Sequence, residues 1–260
     1  MDDVIQSSTS GWVSPALARR IQVFADAALA VLLAPACAAC RSPLDHPTRG
    51  PVCHACWTRI VPITPPVCES CGDPLPTWRV TSIACGRCAR CRRHPTRVAR
   101  GRAIGPYDGS LRAIVHALKY DGRRSVARPL ASLMARHAHD LIDGAAVAVP
   151  VPLHRSRARA RGFNQAAEIA RHLPVPVAHA LKRIRRTASQ TDLPAGARHR
   201  NVHGAFSLAR GANVRGAIVL LIDDVSTTGA TLDACAAVLL EAGAREVRAL
   251  TAARVVSRPR

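Results

Sequence analysis

Residues 219–232 read VLLIDDVSTTGATL. The apolar run AIVLLI (217–222) predicts a buried strand that ends in Asp223 and Asp224. The loop Ser226-Thr227-Thr228-Gly229-Ala230-Thr231 follows and opens a helix. In open α/β sheets, ligands bind where strand carboxyl ends meet helix amino ends. Backbone N–H groups and the helix dipole there attract phosphate. Gly229 lets the backbone approach a ligand closely, and the hydroxyls of Thr227, Thr228 and Thr231 add donors. Two adjacent carboxylates repel a phosphate unless they hold something else. Ribose 2′- and 3′-hydroxyls meet that need, taken directly or through Mg²⁺, which prefers oxygen ligands. The string therefore predicts a ribose 5-phosphate site.

The flanking periodicity supports an α/β fold. Helical spacing is expected over 15–33, 110–120, 130–142, 164–172 and 231–242, the last ended by Gly243. Strands are expected over 97–107, 145–151, 217–222 and 246–251. Alternation of this kind implies a parallel sheet with crossover helices. The composition agrees: 48 % of residues are hydrophobic but only 3 % aromatic, so the core is built from Ala, Val, Leu and Ile.

Of the 10 cysteines, all but Cys235 fall between Cys37 and Cys91. Cys37-x2-Cys40 and Cys53-x2-Cys56 offer four thiolates to one tetrahedral Zn²⁺. Cys68-x2-Cys71 opens a second set whose partners are ambiguous, because Cys85, Cys88 and Cys91 form two overlapping pairs. Cys88 and Cys91 are the preferred ligands, with Cys85 able to replace either. CxxC patterning of this density favours zinc and a reducing compartment over disulfides. Cys235 sits in an apolar helical stretch and reads as a buried structural thiol. The region around the ribbons is poor in apolar residues and is expected to need its metal to stay folded.

Lys+Arg number 37 against 17 Asp+Glu, a formal charge of +20, and Lys119 and Lys182 are the only lysines. A GC-rich coding bias accounts for Arg in place of Lys but not for the surplus, which points to an anionic partner, nucleic acid or phosphate. With 3 Trp, 2 Tyr and 3 Phe, extensive base stacking is not expected. No secretory signal is evident. The apolar run 25–36 is too short to span a bilayer and is expected to pack on the cysteine region.

The 219–232 string resembles the diphosphate-sugar motif of type I phosphoribosyltransferases. Four further stretches occur in order with it: YDGSLRAIVHALKYDG (107–122), PVPLHRSRARARGFNQAAEIA (150–170), LKRIRRTASQTDL (181–193) and RHRNVHGAFSL (198–208). With the paired cysteine ribbons they resemble the ComF family of bacteria from about residue 29 to the end. In that family the last CxxC stands at the same distance before YDG as Cys88 and Cys91 do here, which supports this pair as ligands. The resemblance implies a type I phosphoribosyltransferase-like parallel sheet with flanking helices, preceded by a small double zinc ribbon. The expected division is a tail and helix over 1–28, ribbons over 29–95 and the phosphoribosyltransferase-like domain over 96–260.

The resemblance also implies phosphoribosyl pyrophosphate, or a nucleotide, as ligand with Mg²⁺, and two structural zinc ions. It further implies a link to natural competence and single-stranded DNA in the cytoplasm. In such a domain Asp223 and Asp224 hold the ribose. In such enzymes the pyrophosphate loop follows the first sheet strand, which in this resemblance ends in Val149-Pro150-Val151-Pro152, and the following Arg155, Arg157, Arg159 and Arg161 could neutralise pyrophosphate. Lys119, Asn164 and Gln165 are further candidates for pyrophosphate or DNA, and Arg186 belongs to the 185–201 stretch where such enzymes carry a lid. No residue marks itself as a general base for an acceptor. Three readings stay open: a phosphoribosyltransferase with an undefined acceptor, a single-stranded DNA-binding protein that keeps the fold, and a ligand-sensing regulator whose ribbons contact a protein partner.

Overall fold

The computed structural model describes residues 14–75, 86–185, 202 and 204–256. Cys85, Arg186, the polar tail before Ser14 and most of the expected lid lie outside these residues. In chain order the described elements begin with helices α1 (Pro15–Leu33), α2 (His54–Thr58) and α3 (Ala89–Arg93). Strand β1 (Arg100–Pro106), helices α4 (Gly109–Tyr120), α5 (Ala127–His137) and α6 (His139–Ile142), and strand β2 (Val147–Pro150) follow. Next come helices α7 (Arg155–Arg161) and α8 (Gln165–Ala170), then strands β3 (Leu181–Arg183), β4 (Phe206–Leu208) and β5 (Ile218–Ser226). Helix α9 (Ala230–Glu241) and strand β6 (Glu246–Arg254) close the fold.

Strands β1, β6, β5 and β2 form a parallel sheet in that order, and β3 pairs antiparallel with β4. Strand β5 is buried on both sides and obeys the two-residue period of a strand. Leu220 and Ile222 join an apolar cluster with Leu118 of α4, Leu130 of α5 and Ile169 of α8. Val219 and Leu221 join a second cluster with Cys235 and Leu239 of α9 and Phe206 of β4. Cys235 is fully buried, as its apolar setting requires.

Several elements depart from the sequence reading. Strand β5 does not stop at the acids but runs to Ser226, because its backbone keeps pairing with β6 in the register Asp223–Thr251, Val225–Ala253 and Ser226–Arg254. The helix expected over 130–142 is two helices, broken at Ala138, whose φ of −133° lies outside the helical range. Helix α7 and the β3–β4 hairpin carry no apolar periodicity that announces them.

The cysteine-rich region is built into the sheet domain. Cys37, Leu44, Val52 and Cys56 belong to the same apolar cluster as α4 and α5. The chain also covers the open edge of the sheet along β1: Ile63 N–H donates to Ile104 O (2.7 Å), and Gly101 N–H donates to Glu69 O (2.7 Å). Gly105 permits the first approach, since a Cβ there would stand 2.6 Å from Val61 O. Helix α1, by contrast, meets the ribbon through polar groups rather than its apolar run. Asp26 is buried, accepts Thr48 N–H (2.9 Å) and meets His46 Nδ1 (3.2 Å). Phe24, Val31 and Leu32 stay largely exposed.

Gly105→Ala is expected to lower stability by about 1–3 kcal/mol, the usual cost of overpacking. Thermal unfolding checks this, and an unchanged midpoint would mean that the ribbon linker is not held against β1.

Candidate phosphate site and metal centres

The two halves of the cysteine region share one local design. In each, a first CxxC closes a tight turn and the second begins a short helix, with Cys53 preceding α2 and Cys88 preceding α3. Cys37 N–H donates to Ser42 O and Cys68 N–H to Asp73 O (2.7 and 2.8 Å). The residue after each first CxxC takes a left-handed conformation, Arg41 at φ 65° and Gly72 at φ 72°.

The thiols of Cys37, Cys40, Cys53 and Cys56 all lie within 4.8 Å of one another, and so do those of Cys68, Cys71, Cys88 and Cys91. Four sulfurs bound tetrahedrally at ~2.3 Å from zinc stand about 3.8 Å apart. The observed separations are 3.9 Å (Cys37–Cys56), 3.8 Å (Cys40–Cys53) and 3.7 Å (Cys71–Cys88). Both clusters thus fit a structural zinc ion. Cys37 Sγ also accepts N–H bonds from Ala39 and Cys53 (3.4 and 3.3 Å), which suits a thiolate.

The 219–232 string lies at the carboxyl end of the sheet. Gly229, at φ 82°, is the N-cap of α9. Because β5 continues as a strand, Asp223 and Asp224 point to opposite faces. Asp224 turns toward α4, where Lys119 Nζ stands 2.8 Å from its Oδ1. Burial opposes the Lys119 charge, yet Asp224, with Asp223 and Tyr107, holds its pKa above the ordinary lysine value. Lys119 therefore lines the site with its charge already matched. Asp223 lies within the field of Lys119 and, less strongly, of Arg183, and accepts the N–H of Asp224 (2.9 Å). Burial first, and the Asp224 charge second, push the Asp223 carboxyl up to about 7.

Both acids line a cavity of ≈ 250 Å³ together with Lys119, Thr227 and Thr231. Helix α7 supplies its basic wall. Arg157 and Arg161, four residues apart on one helix face, line the cavity, whereas Arg155 and Arg159 face solvent. Arg161 is further placed by Gln165 Oε1 (2.9 Å) and by stacking at 5.0 Å on the Tyr120 ring. Gln165 is buried and serves as that anchor. Asn164 also lines the cavity, but its side chain caps α8, accepting Ala166 N–H (3.0 Å) and donating to Val151 O (2.9 Å). Of the loop residues, Ser226, Thr228 and Gly229 border a separate small cavity on the ribbon side, and Ala230 is buried. Tyr107, Tyr120 and Arg183 also line the main cavity. Sequence reasoning missed these three, although both tyrosines flank the α4 string.

Residues 28–97 match the double zinc ribbon domain and residues 159–259 the phosphoribosyl transferase domain. Competence protein F of Haemophilus influenzae is 31 % identical over 230 residues, covering 84 % of this chain and 96 % of its own. The chain belongs to the ComF family. Two other relatives of this ComF-family chain are DNA utilization protein YhgH of Salmonella typhimurium, 32 % identical over 226 residues (82 % of this chain, 93 % of its own), and competence protein ComFC of Bacillus subtilis, 28 % identical over 199 residues (74 % and 79 %). The parallel sheet with flanking helices and the Cys-rich double zinc ribbon are those expected of the family. Among the described residues of this ComF-family chain, no helix is long and apolar enough to cross a membrane.

The raised Asp223 pKa sets a sign. Below about 7 its carboxyl keeps a proton and loses acceptor capacity; above it both oxygens of the anion are free to accept hydrogen bonds from a ligand. Ligand affinity should therefore rise between about pH 6 and pH 8, and Asp223→Asn should remove the part of that rise owed to this group. Stability runs the other way, because a proton held more tightly by the native state stabilises it at low pH and that gain is lost as pH rises through about 7. Calorimetric titration across this range checks the first sign and chemical denaturation the second.

Proposed function

We propose that this protein binds phosphoribosyl pyrophosphate, or a nucleotide 5-phosphate, at the β5–α9 turn and acts in the handling of incoming DNA. One observation carries the ligand reading: two carboxylates, two threonines and two arginines from β5, the following turn and α7 face a single cavity. In this reading the loop from Ser226 to Thr231 holds the 5-phosphate, and Asp223 and Asp224 accept the ribose hydroxyls. Arg157 and Arg161 neutralise pyrophosphate. A Mg²⁺ ion arriving with the pyrophosphate would supply further charge neutralisation and find oxygen ligands at Asp223. Lys119 already offsets Asp224, which lowers the repulsion between these acids and an anionic ligand. The names of the relatives, which speak of competence and DNA utilization, support the cellular role.

With Mg²⁺ present, phosphoribosyl pyrophosphate should raise the unfolding temperature, and Asp223→Asn with Asp224→Asn should abolish the rise. No protection of the wild type would sink the ligand reading. Release of pyrophosphate with a candidate base would show that transfer follows binding.

A second reading, contact with single-stranded DNA, is favoured by a different place. A groove of ≈ 610 Å³ runs between α2 and α5, lined by Arg49, Arg128, Arg136 and Trp57. Arg128, Ser132 and Arg136 share one face of α5. None of the three arginines has an ion-pair partner among the described residues. Free guanidinium groups beside an indole suit a phosphate backbone with one stacked base. Arg128→Ala with Arg136→Ala should flatten the salt dependence of DNA affinity by roughly 0.7 per Arg in log–log slope. An unchanged slope would place the DNA elsewhere.

A further inference from the structure

We infer that the second metal knuckle positions the phosphate loop: Arg90 and Arg254 tie the state of the Cys68, Cys71, Cys88, Cys91 cluster to Ser226, Thr227 and the start of α9. The consequence for ligand affinity rests on the reading of this loop as the phosphate site.

Arg90 stands in α3, immediately before Cys91. Its Nη2 donates to Cys71 Sγ (3.5 Å) and its Nη1 donates to the carbonyl of Thr227 (3.3 Å). One planar guanidinium thus spans a metal ligand and the backbone of the loop. Its donors form a rigid fork, so movement of the sulfur costs the carbonyl contact as well. A zinc ion holds its four thiols deprotonated, so the occupied cluster carries net negative charge and attracts this cation.

Arg254 makes the second tie. It is 1 % exposed, and its Nε donates to Asp73 Oδ1 (2.8 Å) while Nη1 donates to Cys71 O (2.7 Å). Its backbone lies opposite Ser226 across the β5–β6 ladder, and Nη1 stands 3.5 Å from Ser226 Oγ. Almost everything that satisfies this buried cation comes from the turn of the knuckle at residues 71–73. A third contact holds α9 itself: Thr96 Oγ1 and Arg97 N–H, just past the knuckle, donate to Asp233 in the first helical turn (2.9 and 2.6 Å).

These contacts act as struts rather than as packing. A cavity of ≈ 40 Å³, bordered by Cys71, Cys91, Thr228 and Gly229, lies between knuckle and loop, so packing between them is incomplete. The first cluster offers the contrast. Cys37 and Cys56 sink into the apolar core with α4 residues Leu111, Ile114 and Leu118 instead. Metal at the first site supports the fold; metal at the second also sets the loop. Arg90 and Arg254 are positioning residues in this scheme.

Hydrogen exchange of amides 226–231 tests the inference without any ligand. Arg90→Met keeps every thiol, so it should retain two zinc ions per chain while exchange at 226–231 rises about tenfold, the equivalent of about 1.4 kcal/mol. Arg90→Lys should recover part of the protection. Cys91→Ser should lose one zinc and loosen the loop, whereas Cys40→Ser should lose one zinc and leave the loop unchanged. Calorimetry with phosphoribosyl pyrophosphate should show affinity falling in step with exchange. Exchange identical to wild type in two-zinc Arg90→Met would overturn the inference, even if Cys91→Ser fails to fold. Loosening of the loop in a protein that binds no phosphoribosyl pyrophosphate would uphold the tie and refute the proposed function alone.

Discussion

The pairing of β5 with β6 is the constraint on which the rest of this structure depends. It keeps one register from Ile218–Glu246 to Ser226–Arg254, past the apolar residues and beyond both acids. While the backbone stays extended, neighbouring side chains must face opposite ways. Asp224 is therefore delivered to α4 and Lys119, and Asp223 to the side of Arg183 and Cys235. Had the strand ended at Ile222, both acids would sit on a loop. The ladder sets which acid reaches Lys119, and burial with the neighbouring Asp224 charge then raises the Asp223 pKa.

The same ladder draws the cysteine region into the site. Arg254 closes β6 directly beside Ser226, and its side chain can be buried only because Asp73 and the Cys71 carbonyl receive it. A buried guanidinium without such partners would be strongly destabilising. The ribbons also cover the exposed edge of β1, where unpaired strand groups would otherwise invite association. They serve at once as edge cover, core and support for the loop, so they are not a separate module joined by a flexible link.

Helix α7 shows how local geometry sorts a charge run into roles. The stretch 155–161 alternates arginine with small residues and reads in sequence as one undivided basic patch. Coiled into a helix, residues two apart diverge and residues four apart align, which sends Arg157 and Arg161 to the cavity and Arg155 and Arg159 to water. Tyr120 and Gln165 then fix Arg161 in place. The apolar residues of α1 illustrate the reverse, because its buried anchor is Asp26 while Phe24 and Leu32 face outward.

Sequence alone determined what depends on neighbours along the chain. The apolar run of β5, the small-residue turn that opens α9, the start and end of α1 and the two sets of CxxC pairs were all legible, because a buried apolar run, a turn and metal chelation are short-range patterns. The ligand preference for Cys88 and Cys91 came from a resemblance, and the structure brings those two to Cys68 and Cys71. Tertiary structure alone decided which charges meet. Lys119 and Asp224 are far apart in sequence, as are Arg254 and Asp73, and Arg90 and Thr227. An arginine that will be buried is spelled like one that will be solvated; only the packing of ribbon on sheet determines which carbonyl or carboxylate it finds.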